Sequence, residues 1–214
     1  MKTNKSIKFF LIVLYILFFV SLGLAEIIKG FSYENEAMGV KITGPEDWYI
    51  VPGEKAQEKT AKNIDDITKL ESLKESSKKV GILVVFLKYP YGSPREFNPN
   101  IVLATEKIIS EYAGVLKTPL DVANANIITL KMMFKDVKII EGPMMVKLES
   151  GLQGAHFIYE AKVVRGYLEV GIRCSVYIFL KDDIIYTLTF TDRNEDFENN
   201  IKAFESSLKT FVLK

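Results

Sequence analysis

The sequence contains very few of the residues that carry nucleophilic or metal chemistry. Its 214 residues include one cysteine and one histidine. A single cysteine excludes an internal disulfide, so the hydrophobic core must supply the stability of the fold. The sequence also lacks an Asp-rich calcium loop, a glycine-rich phosphate loop and a Gly-x-Ser-x-Gly motif. We therefore expect no catalytic residue, no metal site and no bound cofactor.

The sequence also lacks an excess of charge of either sign. Its formal net charge is +1, to which Lys2, Lys5 and Lys8 contribute +3, so the remainder of the chain carries −2. A protein that binds nucleic acid neutralises phosphates with clustered Lys and Arg, and no such excess is present. We therefore expect no nucleic-acid partner.

A long uncharged run, FFLIVLYILFFVSLGLA, occupies residues 9–25 and ends at Glu26. Its leucine, isoleucine, valine and phenylalanine side chains favour insertion into a membrane. Gly23 and Ala25 are small residues at the positions that precede a signal-peptidase cut. Two alternatives remain open, a cleaved signal peptide and an uncleaved anchor that holds the protein to the membrane.

Both alternatives predict the same location for the rest of the chain. Lysines before an apolar segment favour a cytoplasmic N-terminus, so residues 26–214 are expected to be extracytoplasmic. We interpret residues 1–25 as the signal or anchor and residues 26–214 as one domain, because a body of this size can bury an adequate core.

The apolar pattern of the body predicts a sheet covered by helices. Residues 80–90, VGILVVFLKYP, are apolar at both odd and even positions, as in a strand that is buried on both faces. Residues 117–134 and 194–211 carry apolar side chains at spacings of three and four, which predicts amphipathic helices. Residues 54–79 are rich in Lys and Glu and predict a solvated surface helix. The expected fold class is α+β, an antiparallel sheet with helices on both faces, preceded by an N-terminal hydrophobic helix.

Alternating residues predict a β-meander in the last third of the chain. Residues 168–180 and 184–190 are apolar at every even position. If both apolar rows share one face, a three-residue turn over 181–183 is required. The opposite face would then align polar side chains in a candidate binding face, which consists of Arg173, Ser175, Tyr177, Thr187, Thr189 and Thr191.

Asn98, Pro99 and Asn100 mark the corner before another predicted strand. Asparagine side chains readily bond to neighbouring backbone, and proline is tolerated at the start of a strand. We interpret these three residues as a structural turn, with a ligand site as the alternative.

The single histidine and the single cysteine are predicted to be unreactive. On its predicted strand, His156 shares a face with Glu160 and Lys162, so we expect it at the surface. Cys174 lies in an apolar row, where a thiolate is disfavoured. A Cys174–His156 dyad is the alternative.

Three segments together resemble PsbP-like and DcrB-like domains. They are GVKITGPEDWYI at 39–50, FNPNIVLATEKI at 97–108 and the ending IIYTLTFTDRNEDFENNIKAFESSLKTF at 184–211. Their order and spacing carry the resemblance, which spans residues 31–212. It implies an α/β/α sandwich around an antiparallel sheet, and a non-enzymatic accessory or binding protein of the envelope with a protein partner. A chaperone-like carrier of apolar segments or lipid and a carboxylate-based hydrolase are the alternatives.

Overall fold

The computed structural model describes residues 32–57, 80–90, 93, 97–134, 136–165 and 168–214. The predicted signal or anchor at 1–25 lies outside this part of the chain, as does most of the helix predicted over 54–79. Within the described ranges, no helix combines the length and the apolar character needed to cross a bilayer.

A seven-stranded antiparallel sheet is the centre of the fold. Its strands follow the spatial order β3-β4-β5-β9-β8-β7-β6, so β3 and β6 form the two edges. In chain order they are β3 (Tyr49–Pro52), β4 (Val80–Leu87), β5 (Asn100–Lys107), β6 (Lys138–Lys147), β7 (Gln153–Arg165), β8 (Leu168–Lys181) and β9 (Ile184–Arg193). The predicted α+β class with an antiparallel sheet is confirmed.

Helix α1 (Pro119–Met133) packs on one face of this sheet. Thr118 caps it: its hydroxyl accepts the Asp121 N–H, and the Asp121 carboxylate accepts the Thr118 N–H. Pro119 fits the first turn because a proline there has no N–H to leave unpaired. The predicted apolar stripe faces the sheet, with Ala123, Ile127 and Leu130 buried. We call the core beneath this helix the α1-side core.

Helix α2 (Phe197–Lys209) and a second sheet cover the opposite face. The second sheet contains β1 (Ser32–Asn35), β2 (Val40–Thr43) and β10 (Val212–Leu213). A short 3₁₀ helix, Glu36–Met38, joins β1 to β2. Phe204 of α2 stacks on Phe190 of β9, and Trp48 packs edge-on against the Phe204 ring. We call the core between the large sheet and α2 the α2-side core. With α1 on one face and α2 on the other, the predicted helix on each face of the sheet is confirmed.

Strand β4 shows why the two-sided apolar pattern indicated a covered sheet. Val85 and Leu87 enter the α1-side core, whereas Val84 and Phe86 enter the α2-side core. All four side chains are buried. A strand with apolar residues at both odd and even positions can bury all of them only when both faces of the sheet are covered.

The register between β8 and β9 differs from the prediction. Lys181 pairs with Ile184, so the turn contains only Asp182 and Asp183. Asp182 takes a positive φ of 55°, a conformation that Asp adopts more readily than most residues. The prediction assumed that both apolar rows share one face. Because both faces are covered, the apolar row of β8 enters the α1-side core and that of β9 enters the α2-side core.

In the part of the chain that the structure describes, strand β6 pairs with β7 alone and forms one edge of the large sheet. Its pairing shifts register twice, between Ile139 and Glu141 and again between Glu141 and Met144. Gly142 has a positive φ of 74°, and a side chain there would collide with the backbone oxygen of His156. Pro143 has no N–H to offer to a neighbouring strand. These features interrupt the edge, as is common where open-ended strand pairing must be avoided.

Candidate functional site

Four polar side chains meet on the α2-facing side of the sheet. His156 lies on β7, Ser175 and Tyr177 on β8, and Glu141 on the edge strand β6. His156 Nε2 is 2.9 Å from Ser175 Oγ, and His156 Nδ1 is 3.9 Å from a Glu141 carboxylate oxygen. The imidazole stacks on the Tyr177 ring with 4.2 Å between centroids. We call these four residues the His156 cluster.

Burial controls the electrostatics of the His156 cluster. Only 7% of His156 is exposed, and desolvation lowers the pKa of its imidazole while the nearby Glu141 carboxylate opposes that shift. Burial likewise raises the pKa of the Tyr177 hydroxyl. Desolvation disfavours the charged form of each group. At neutral pH the histidine is therefore neutral, with one ring nitrogen able to accept and the other able to donate.

The predicted surface position of His156 is wrong. The prediction relied on Glu160 and Lys162, which lie on the same face of β7 as His156 but further along the strand. Alternation shows which face a side chain occupies, but it does not show where along the strand that face is covered. Here Tyr177 lies across the imidazole and the β6 bulge packs against the histidine backbone.

The His156 cluster places a hydroxyl, an imidazole and a carboxylate in the order found in serine hydrolases. However, only 4% of Ser175 is exposed, and the carboxylate is beyond hydrogen-bond distance of the imidazole. A nucleophile must reach its substrate, and the acid must orient the base by a direct hydrogen bond. The geometry is better suited to holding β6, β7 and β8 together than to acyl transfer.

The predicted binding face does not form one surface. With Lys181 opposite Ile184, Ser175 pairs with Phe190 and Tyr177 pairs with Leu188 on the α2-facing side. Arg173 lies on that side as well, opposite Asp192. The three threonines lie on the other side, opposite Cys174, Val176 and Ile178, and all three are buried: Thr187, Thr189 and Thr191.

Arg173 is held in a network at the start of α2. Its guanidinium donates to Glu160 at 2.7 Å and to Glu198 at 2.7 Å. The guanidinium carbon also lies 5.4 Å from the centre of the Phe197 ring, a favourable cation–π arrangement. With two carboxylates and an aromatic face already engaged, Arg173 links β7, β8 and α2.

A second network lies beside it and contains a buried carboxylate. Asp192 is fully buried and accepts hydrogen bonds from the Asn200 side chain and from the Arg193 N–H. The Asn200 oxygen in turn accepts from the Lys88 ammonium at 2.7 Å. Desolvation raises the pKa of Asp192, and these hydrogen bonds partly oppose the shift. Sequence reasoning missed this network because Lys88 is 112 residues away from Asn200, and nothing in the local pattern shows that Asp192 and Asn200, eight residues apart, meet in the buried interior.

Cys174 lies on the face opposite to His156, so the two residues cannot form a dyad. The thiol is fully buried in the α1-side core, where it donates to Thr191 Oγ1 at 3.5 Å. Burial raises the pKa of Cys174 to about 12. A thiol with so high a pKa is a poor nucleophile at neutral pH.

The Asn98 corner is tied to the end of strand β4. The Asn98 amide accepts the Tyr89 N–H at 3.0 Å and donates to the Tyr89 carbonyl at 2.9 Å. The Pro99 carbonyl accepts the Lys88 N–H at 3.0 Å, and the Asn100 amide donates to the Asn98 carbonyl at 3.0 Å. Every one of these bonds ends on backbone, which is the geometry of a turn.

Among the described residues, no three His, Cys, Asp or Glu side chains are grouped closely enough to hold a metal ion. A shallow pocket of about 400 Å³ lies between β1, β2 and the C-terminal residues. Its charged lining residues are Glu34, Glu36, Lys41 and Lys214, and Lys41 already pairs with Glu34 at 3.2 Å. This lining holds no arrangement that points to a particular ligand.

Comparison with known proteins identifies similar solved structures only. No protein-family model matches the sequence, and no curated protein matches it. The chain is similar to the cyanobacterial PsbP (CyanoP) of Synechocystis sp. PCC 6803, with 15% identity and a TM-score of 0.47. That alignment covers 90% of this chain and 95% of the cyanobacterial one.

Two further structures are similar over much of the chain. One is LpqN of Mycobacterium tuberculosis, a protein involved in cell envelope biogenesis, with 10% identity, a TM-score of 0.48, and coverage of 82% of this chain and 83% of the other. The other is PA94 of Pseudomonas aeruginosa, a protein of unknown function, with 12% identity, a TM-score of 0.44, and coverage of 63% and 83%. At these identities the likeness concerns the fold.

Proposed function

We propose that this chain is a non-enzymatic accessory domain that acts at the outer surface of the membrane and binds a protein partner of the envelope. The location rests on the basic leader and the apolar run at 9–25, which direct export or anchoring. If the run is retained, it also attaches the domain to the membrane.

The exposed apolar side chains of β6 carry the proposal of a protein partner. Ile140, Met144 and Met145 are between 41% and 47% exposed on a strand that has, among the described residues, a neighbouring strand on one side only. Methionine side chains are flexible and polarisable, and they adapt to apolar partner surfaces. A single exposed apolar residue is ordinary, but three on one edge strand of the described sheet favour a contact surface.

The arrangement of these side chains fits a particular kind of partner. Met144 lies opposite His156 and Met145 opposite Ala155, so the two methionines project from opposite faces of the sheet. A partner that covers both must wrap around the edge. Because Pro143 and the register shifts interrupt backbone pairing, side chains must supply most of the contact. We therefore infer that the occupant is an apolar segment of a neighbouring membrane protein.

Site-specific photocrosslinking tests this function in the full chain, expressed in its own membranes. A photoreactive amino acid replaces Met145, and the control variant carries it at Lys41, which is exposed on the small sheet. We expect one stoichiometric adduct from the Met145 position and none from Lys41. An adduct that forms equally at both positions, or at neither, contradicts the proposal.

The identified partner then allows a quantitative test. Met145→Glu places a charge in the apolar contact, and we expect a loss of affinity of about tenfold or more. Lys41→Glu should leave affinity unchanged. Because Met145 is half exposed, the substitution should also leave thermal stability unchanged. Unchanged affinity in Met145→Glu would show that β6 is not the surface that contacts the partner.

A carrier of apolar segments is the second candidate, favoured by helix α1. Ile128 and Met132 are one helical turn apart and are 54% and 63% exposed. A carrier would crosslink through these positions to many different apolar segments or to lipid. An accessory domain would give one partner through β6.

A further inference from the structure

The sulfur atoms whose surroundings the structure describes differ in how far solvent can reach them. Met144 and Met145, adjacent on β6, are 42% and 47% exposed, whereas Cys174 is completely buried. Burial also raises the pKa of the Cys174 thiol to about 12, so little thiolate forms at neutral pH. Met38 is only partly exposed, because it packs against the α2-side core. An oxidant in solution therefore meets the two β6 thioethers before it meets the thiol.

We propose that Met144 and Met145 form an oxidation site on the edge strand, and that their sulfoxides prevent β6 from binding its partner. The oxidants are hydroperoxides, of which hydrogen peroxide is the simplest. The sulfur lone pair takes one oxygen atom as the O–O bond breaks, so the thioether is oxidised to the sulfoxide and the peroxide is reduced to water. The effect on binding rests on the proposed function, in which β6 is the contact surface.

The position of the two methionines decides what their oxidation does. Met144 pairs with His156 and Met145 pairs with Ala155, so the two side chains project from opposite faces of the sheet. Because both side chains reach solvent, the new S=O groups keep their hydrogen bonds to water and leave the fold intact. A partner that covers both faces of the edge removes that water, and a buried polar group without a hydrogen-bond partner is costly. Oxidation therefore weakens the contact while the domain stays folded.

The same chemistry is reversible. Methionine sulfoxide is returned to methionine by a pair of reductases, one for each epimer at sulfur. The buried thiol stays out of the reaction, so no disulfide or sulfenic acid accumulates beside the sulfoxides. Oxidation of β6 therefore acts as a switch that releases the partner and can be reset.

Peptide mapping by mass spectrometry, after peroxide treatment of the full chain in detergent micelles, tests the oxidation site. We expect Met144 and Met145 each to gain one oxygen atom while Met38 and Cys174 remain unmodified. Met132, which is 63% exposed on α1, should be oxidised as well and serves as the internal control outside β6. Oxidation of Met38 or Cys174 ahead of the two β6 methionines would overturn the proposal.

Photocrosslinking of the full chain in its own membranes tests the effect on binding. The photoreactive amino acid replaces Ile140, which is exposed on β6, so both methionines stay in place. We expect peroxide treatment before illumination to lower the yield of the partner adduct about tenfold or more. Treatment with the two sulfoxide reductases should restore that yield. An unchanged yield when both methionines are oxidised would overturn the proposal.

Two variants separate oxidation of β6 from oxidation elsewhere. Met144→Leu combined with Met145→Leu keeps an apolar surface of similar volume that cannot be oxidised, so its adduct should survive the treatment. Met132→Leu, on α1, should lose its adduct as the wild type does. Loss of the adduct in the double variant, or a fall in thermal stability that only the oxidised wild type shows, would overturn the proposal.

Failure of the proposed function gives a different result. If untreated membranes yield no adduct from the Ile140 position, the contact itself is absent and the effect on binding is overturned with it. The peptide map is independent of any partner and decides the oxidation site in that case too.

Discussion

The side-chain amide of Asn98 makes both hydrogen bonds that a strand residue would make with the backbone of Tyr89. It accepts the Tyr89 N–H at 3.0 Å and donates to the Tyr89 carbonyl at 2.9 Å. Asparagine can do this because its amide carries a donor and an acceptor at about the spacing of a peptide unit. The side chain thereby extends the β4–β5 pairing by one step beyond Asn100.

We expect Asn98→Ala to destabilise the protein because it removes both of these hydrogen bonds. At about 1 kcal/mol for each bond, the free energy of unfolding should fall by about 2 kcal/mol. Chemical denaturation measures the change. Asn98→Asp is the matched comparison: it keeps the acceptor for the Tyr89 N–H but sets a carboxylate oxygen against the Tyr89 carbonyl, so it should be at least as destabilised as Asn98→Ala. Equal stability of all three proteins would return Asn98 to consideration as a ligand site.

We expect Thr189→Val to raise the free energy of unfolding by about 1 kcal/mol. Thr189 is fully buried, and its hydroxyl has no hydrogen-bond partner among the residues that the structure describes. Replacing it with an isosteric methyl removes an unsatisfied polar group from the α1-side core. Thr191→Val is the comparison, because its hydroxyl accepts from the Cys174 thiol and should give no gain. A clear loss of stability in Thr189→Val would argue against the two-residue turn that buries this face.

We expect Cys174 to resist alkylation in the native protein. Its pKa of about 12 and its complete burial leave almost no accessible thiolate near pH 8. Iodoacetamide labelling followed by mass spectrometry should therefore show reaction only after unfolding in guanidinium. Rapid labelling without denaturant would show that the α1-side core opens in the native state.

We expect Thr118→Ala to lower the free energy of unfolding by about 1 kcal/mol, because it removes the N-cap of α1. The Thr118 hydroxyl accepts the Asp121 N–H at 3.2 Å and donates to the Asp121 carboxylate at 2.8 Å. Thr118→Ser keeps the hydroxyl and should retain most of the stability. Thermal unfolding of the three proteins measures the difference, and a serine variant as unstable as the alanine variant would contradict the capping role.

The sequence by itself determined the elements whose signals are local. Helix α1 was predictable because Thr118, Pro119 and Asp121 form a cap that depends only on neighbouring residues. Strand β4 and its covering on both sides were predictable because an apolar side chain at every position favours burial on both faces. The apolar spacing of α2, from Phe197 to Leu208, indicated its buried side because that spacing is a local property of the helix.

Only the tertiary structure decided what these elements cover. Alternation in β8 and β9 shows that each strand has two faces, but not which apolar row joins which core. Because the turn has two residues and not three, Ser175 and Thr189 lie on opposite faces of the sheet. His156 was misplaced for a related reason, because its burial depends on Tyr177 and on the β6 bulge, which the pattern of β7 does not contain. Periodicity records the chain's own geometry, whereas burial depends on contacts between residues far apart in sequence.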